Sequence, residues 1–206
     1  MVDKDKIMVL LTKHFNWTGT ATVDDQGFVS CTGNVLRLSS SRVQKLPVKF
    51  LHVAGRFDMS KSSLRTLEGS PQQCEKFVCT GSKYLTSLQG APKIATKFVG
   101  LDSCSLLDLR GCPQTSHLSV DWNPLTSLEG MPDNLDRIEV TWRQRLPVLR
   151  LITAKQIILG WGNHDYVIVA PLQKILDKYA GTTNPGDILR CASELTEAGF
   201  EGNAEW

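Results

Sequence analysis

Short stretches in which apolar and polar residues alternate recur along the middle of the chain. They are FDMS from Phe57, FVCT from Phe77, FVGL from Phe98, LSVDW from Leu118, IEVTW from Ile138 and IILGW from Ile157. Alternation over a few residues predicts half-buried strands. Six of them, one roughly every 20 residues, predict a stack with one strand per turn. The inner column then holds Phe57, Met59, Phe77, Cys79, Phe98, Leu118, Val120, Ile138, Val140, Ile157 and Leu159.

A second pattern runs in step with the first. LRTLEGSP (64–71), LTSLQGAP (85–92), LLDLRGCP (106–113) and LTSLEGMP (125–132) are four copies of L-x-x-L-x-G-x-P. Their prolines, Pro71, Pro92, Pro113 and Pro132, are separated by 21, 21 and 19 residues, and Gly69, Gly90, Gly111 and Gly130 by the same steps. The paired leucines are expected to close the core from an opposite wall. Glycine then permits the bend and proline the extended return. The return segments are too short and too proline-marked for long helices.

One full unit, LSVDWNPLTSLEGMP (118–132), reads L-x-V-x-x-N-x-L-x-x-L. It resembles the leucine-rich repeat, and the resemblance covers residues 46–162. In that family the Asn side chain bonds neighbouring backbone along the turn. The corresponding positions here are Ser62, Ser82, Ser103, Asn123, Arg143 and Gly162. Serine supports a weaker version of that ladder, whereas Arg143 and Gly162 cannot perform it in the same way.

An open stack must cover its two apolar ends. DKDKIMVLLTKHF (3–15) predicts a helix with Ile7, Leu10 and Leu11 inward, and TATVDDQGFVSC (20–31) a hairpin turning at residues 24–27. At the other end, PLQKILDKYAG (171–181) opens with Pro171 and closes with Gly181. A second helix follows, with Asp187 as N-cap, Gly199 as stop, and Ile188, Leu189, Ala192, Leu195 and Phe200 on its apolar side. The expected architecture is an α/β repeat: an N-terminal cap over 1–45, a parallel-sheet solenoid over 46–162 and a helical cap over 163–206. HFNWTGTATV and ELTEAGFEGNAEW, flanking degenerate repeats, are similar to small leucine-rich-repeat proteins encoded by tailed bacteriophages. That resemblance implies a fold and a host context, and no catalytic residues.

Composition adds limits. The net charge of +2 selects no class of partner. No stretch has the length of a membrane span, and the N-terminus lacks the apolar run of a signal peptide, so the chain is read as cytoplasmic; the phage resemblance implies that the cytoplasm is that of a host bacterium. The six cysteines form no C-x-x-C pair and are read as reduced and structural. The four histidines share no zinc spacing with them. G-x-S-x-G, P-loop and G-x-G-x-x-G motifs are absent. The one cluster with catalytic residue types is GWGNHDY (160–166), where His164 adjoins Asp165; adjacent residues on an extended chain point apart, and a turn joining the stack to its cap is the better account. No enzyme, cofactor or metal site is therefore expected.

The outward strand positions carry the functional reading. Arg56, Lys76, Lys97, His117, Arg137 and Gln156 fall in one row, with rungs about 4.8 Å apart. Like charges at that spacing repel and invite an acidic partner. Val78, Val99 and Leu101 are expected to form an apolar patch beside them. Trp122, Trp142 and Trp161 share one place in successive rungs, either finishing the core or forming an exposed aromatic ridge. Together these features predict non-catalytic recognition of a host protein with an acidic surface, as a phage accessory or inhibitor. The alternative is nucleic-acid binding through the basic row and the Trp ridge.

Overall fold

A computed structural model describes residues 2–38, 43–162 and 166–206. The repeating strands form because their apolar alternation buries one face, and each L-x-x-L-x-G-x-P segment returns the chain to the next rung. Among the described residues eleven strands make one sheet: β1 Phe15–Trp17, β2 Ala21–Val23, β3 Phe28–Cys31, β4 Val35–Arg37, β5 Lys49–Val53, β6 Arg56–Asp58, β7 Gln73–Val78, β8 Ile94–Gly100, β9 His117–Ser119, β10 Arg137–Thr141 and β11 Gln156–Gly160. From β6 to β11 every neighbouring pair is parallel, so the molecule is a parallel-sheet β-solenoid of about six turns. The rows begin earlier than expected, because β3 lies parallel to β5 and β4 parallel to β6.

Each middle rung has three walls. The first is the predicted inner column, buried at Phe57, Phe77, Leu118, Ile138 and Ile157. The second is a column that the alternation did not reveal: Val53, Cys74, Ala95, Thr115, Leu135 and Ala154, all buried just before the chain bends into the first wall. The third is the leucine pairs, from Leu64 and Leu67 to Leu125 and Leu128, with Pro71, Pro92, Pro113 and Pro132 buried beside them.

The third wall owes its shape to a turn repeated four times. Ser70, Ala91, Cys112 and Met131 each donate a backbone N–H to the carbonyl of the second leucine, at 2.9–3.0 Å. Thr66, Ser87, Asp108 and Ser127 each accept the N–H two residues on, at 3.0–3.1 Å. These side chains mimic a turn of backbone, a habit of short polar residues. The four glycines have φ of +84° to +93°, the left-handed region that disfavours a Cβ.

The third rung is out of step with the expected register. A bulge between β7 and β8 pairs Lys76 with Phe98 and Phe77 with Val99. Val99 and Leu101 are therefore fully buried, and Phe98 turns outward. The physical reason lies in the four residues FVGL. The expected phase would bury Phe98 with Gly100 and leave a void; the observed phase buries two branched aliphatic side chains. The slip carries into the turn, where Cys104 rather than Ser103 lies inside. Ser62 and Ser82 meet Oγ to Oγ at 3.0 Å, the Cys104 thiol lies 3.2 Å from the Cys79 carbonyl, and Asn123 donates to the carbonyls of Leu101 at 2.8 Å and Val120 at 3.0 Å. Arg143 continues differently, donating from Nε to the Asn123 carbonyl.

The ends are covered. Helix α1 Lys4–His14 is capped by Asp3 and buries Leu11. The β2–β3 hairpin turns at residues 24–27, where Asp24 Oδ1 accepts the N–H groups of Gln26 and Phe28. Phe15, Phe50, Phe57 and Phe77 form a chain of ring contacts into the first rungs. Helix α2 Tyr166–Tyr179 starts ahead of Pro171, which lies inside it. Helix α3 Pro185–Glu197 is capped by Asn184, not Asp187, because Pro185 already occupies the first turn. Asp187 instead pairs with Arg190. Leu189 is exposed, and Cys191 and Leu195 make the buried contacts of that helix. The C-terminal segment returns to the fifth rung, where buried Asn203 donates to the carbonyls of Arg143 and Leu146 and accepts from Trp142 Nε1. No described helix is long and apolar enough to cross a membrane.

Candidate functional site

The open face of the sheet carries three rows of outward side chains. The bulge rewrites the first, which reads Arg56, Lys76, Phe98, His117, Arg137 and Gln156. Lys97 has left it and pairs with Glu75 at the bulge between β8 and β7. Arg56 reaches Asp58 at 2.5 Å and Arg137 reaches Glu139 at 2.7 Å, each two residues along the same strand. Three of the four permanent cations are therefore matched internally, which corrects the expectation of an uncompensated basic row. The His117 ring meets Ser116 Oγ at 2.9 Å.

The apolar patch does not exist as expected. Val99 and Leu101 belong to the core because of the slip, and Val78 is only 6% exposed. The second row reads Asp58, Val78, Gly100, Ser119, Glu139 and Ile158. The third, at the strand ends, runs through Asp102, Asp121, Thr141 and Gly160. Here polar groups tie neighbouring rungs together. Asp102 Oδ1 accepts from Ser119 Oγ at 2.6 Å and from the Asp121 N–H at 2.9 Å. Thr141 Oγ1 donates to Asp121 Oδ1 at 3.1 Å and accepts the Trp122 N–H at 2.8 Å. Gly160 leaves room for this network, since a Cβ there would stand 2.9 Å from Asp121 Oδ1.

Burial pushes the Asp121 carboxyl above its ordinary range; nearby Asp102 and Glu139 add to the rise, and the Thr141 hydroxyl opposes it. A carboxyl raised in the folded state costs stability once ionised, so this cost is absent below the unfolded pKa and complete above the folded one. Asp121→Asn, which keeps the acceptor for Thr141, is expected to raise the melting temperature at pH 7. The gain should vanish below the ordinary aspartate range. Paired melts at pH 7 and pH 3 check it, and equal gains at both would contradict the electrostatic account.

The tryptophans separate. Trp142 is 5% exposed and belongs to the core, drawn in by Asn203. Trp122 and Trp161 are 53% and 51% exposed, so there is no continuous ridge but two indoles with a buried one between. Trp122 has φ +59°, in line with Lys61, Gly81 and Ser103 of earlier rungs, which are also left-handed.

The remaining chemistry is sparse. His164 and Asp165 lie outside the described residues. Among those described, no group of His, Cys, Asp and Glu is arranged to hold a metal ion. Burial pushes the thiols of Cys31, Cys104 and Cys191 up to about 11 and those of Cys74 and Cys112 to about 12, and Cys79 well above its usual value. Such thiols are poor nucleophiles at neutral pH. The sequence did not reveal Phe98 as an open-face residue or Asp121 as a carboxyl raised by burial. The glycine two residues after Phe98 was the available signal for the first. Compared with protein-family models, curated proteins and solved structures, the chain finds no significant match in any of the three.

Proposed function

We propose that this chain is a non-catalytic recognition protein of the leucine-rich-repeat kind, binding a bacterial host protein through the open face of its solenoid. The carrying observation is that face itself. It combines ion pairs of both signs with a partly exposed Phe98 and the exposed Trp122 and Trp161 at the strand ends. Mixed charge around aromatic anchors suits a protein partner. The inward Asn123 amide supports the repeat assignment, because it bonds backbone in the manner of the family's ladder. The phage-like termini support the host context, the bacterial cytoplasm and a role as accessory or inhibitor.

Nucleic-acid binding is the second reading, moved by the same tryptophans and by Lys76. Against it, Arg56, Lys97 and Arg137 are already paired, and Asp102 and Asp121 line the row that a phosphate backbone would follow. The test is capture from nuclease-treated bacterial lysate with the tagged chain and with a Trp122→Ala, Trp161→Ala double variant whose melt matches the parent. One stoichiometric host protein, lost with the double variant, is the expected result. Capture that disappears with nuclease, and a steep loss of binding with salt, would put nucleic acid first. Undiminished capture by the double variant would remove the tryptophans from the site.

A further inference from the structure

Phe98 is seated on the open face rather than stranded there. Its ring occupies the space that a side chain at position 100 would need: a Cβ on Gly100 would stand 2.7 Å from Phe98 Cε1, 3.1 Å from Cζ and 3.5 Å from Val78 Cγ1. Phe98, lying over Gly100 and against the nearly buried Val78 of the second rung, thus forms an apolar plate on the third, and the bulge that places it there is a device known for re-aiming side chains near binding sites. The flanks of the plate are charged unequally. Lys76 precedes Phe98 in the row and His117 follows it. Arg56 and Arg137, further out, are held by Asp58 and Glu139, and Glu75 is taken by Lys97. Lys76 is the permanent cation of this row that makes no salt bridge among the described residues, acting on the Glu75 carboxylate only at longer range.

We propose that this plate is the anchor point of the open face, taking a protein segment that lays an aromatic side chain on Phe98 and brings an adjacent carboxylate to Lys76. The inference rests on the recognition reading above and adds the chemistry of the partner. An aromatic ring stacks on the exposed part of Phe98, which Val78 backs from beneath. The carboxylate answers Lys76, the cation of this row without a salt bridge among the described residues, and the Arg56–Asp58 and Arg137–Glu139 pairs form a polar rim on either side. Asp102 and Asp121, two rows from Lys76, repel further anions. They confine the acidic character to residues beside the anchor and disfavour an extended polyanion.

The test is a heteronuclear NMR titration of the full chain with three synthetic peptides, GSGEYEGSG, GSGEAEGSG and GSGKYKGSG. Saturable shifts are expected at the amides of Lys76, Val78, Phe98 and Gly100 with the first peptide, at least tenfold tighter than with either other. Phe98→Ala should reduce the first peptide to the affinity of the second. Lys76→Glu, a surface change that leaves folding intact, should reverse the preference toward the lysine-flanked peptide. Equal affinity for the first two peptides, shifts centred elsewhere, or no change in either variant would overturn the proposal. Should capture of the host protein persist with Phe98→Ala while the peptides fail to bind, the recognition reading stands and the Phe98 anchor falls.

Discussion

Leu88→Asp is expected to abolish cooperative folding of the solenoid. Leu88 is 1% exposed and lies between Leu67 and Leu109, its fully buried counterparts in the rungs on either side. A carboxylate there meets neither water nor a cation, and burying an unpaired charge costs more than the roughly 5–15 kcal/mol that holds a domain together. Protonation lowers that cost but still leaves a polar group without a partner. Leu88→Ala separates packing from charge: it leaves a cavity and should cost roughly 2–5 kcal/mol. Circular dichroism melts of the two variants check both statements. Melting curves that match the parent would mean that the leucine wall is misassigned.

Gly130→Ala should have the next largest effect, and for a different reason. Its φ of +85° is a region where a side chain costs roughly 1–2 kcal/mol. The new Cβ would also stand 2.5 Å from both Cα and N of Arg110, and against the Leu109 carbonyl oxygen. These are backbone atoms of the preceding rung, so no side chain can swing away, and overpacking of this kind adds roughly 1–3 kcal/mol. Gly199→Ala is the internal reference. Its φ is +84°, yet nothing lies within 4 Å of the added Cβ, so it isolates the conformational term. Urea denaturation of the two variants should show Gly130→Ala as clearly the less stable. Equal losses would show that the rungs give way more easily than their spacing implies.

Much of the stack was legible because its causes are local. Gly69, Gly90, Gly111 and Gly130 mark bends that require left-handed backbone, and a proline two residues later marks each return. Phe57, Phe77, Leu118, Ile138 and Ile157 were readable as inward because alternation is a property of extended chain itself. The repeated turn was also visible, in the Thr66, Ser87, Asp108 and Ser127 positions, although leucine spacing alone did not draw attention to it. The candidate site was much less legible. Its first row reads as basic when strands are considered singly, yet Asp58 and Glu139 sit two residues beyond Arg56 and Arg137 and neutralise them on the same face. Trp122, Trp142 and Trp161 look equivalent in sequence. They differ because Asn203, some sixty residues on from Trp142, draws only that indole inward.

The period, the bends, the leucine wall and the presence of capping helices each follow from the conformational preferences of a few neighbouring residues. The phase of the third rung depends instead on packing between rungs. In FVGL either Phe98 with Gly100 or Val99 with Leu101 can face inward, and both choices satisfy alternation. Phe77 and Leu118, in the rungs above and below, accept the choice that fills the space between them. A slip of one residue then turns every side chain of the strand to the opposite face, which carries Val99 and Leu101 into the core and Phe98 onto the open surface.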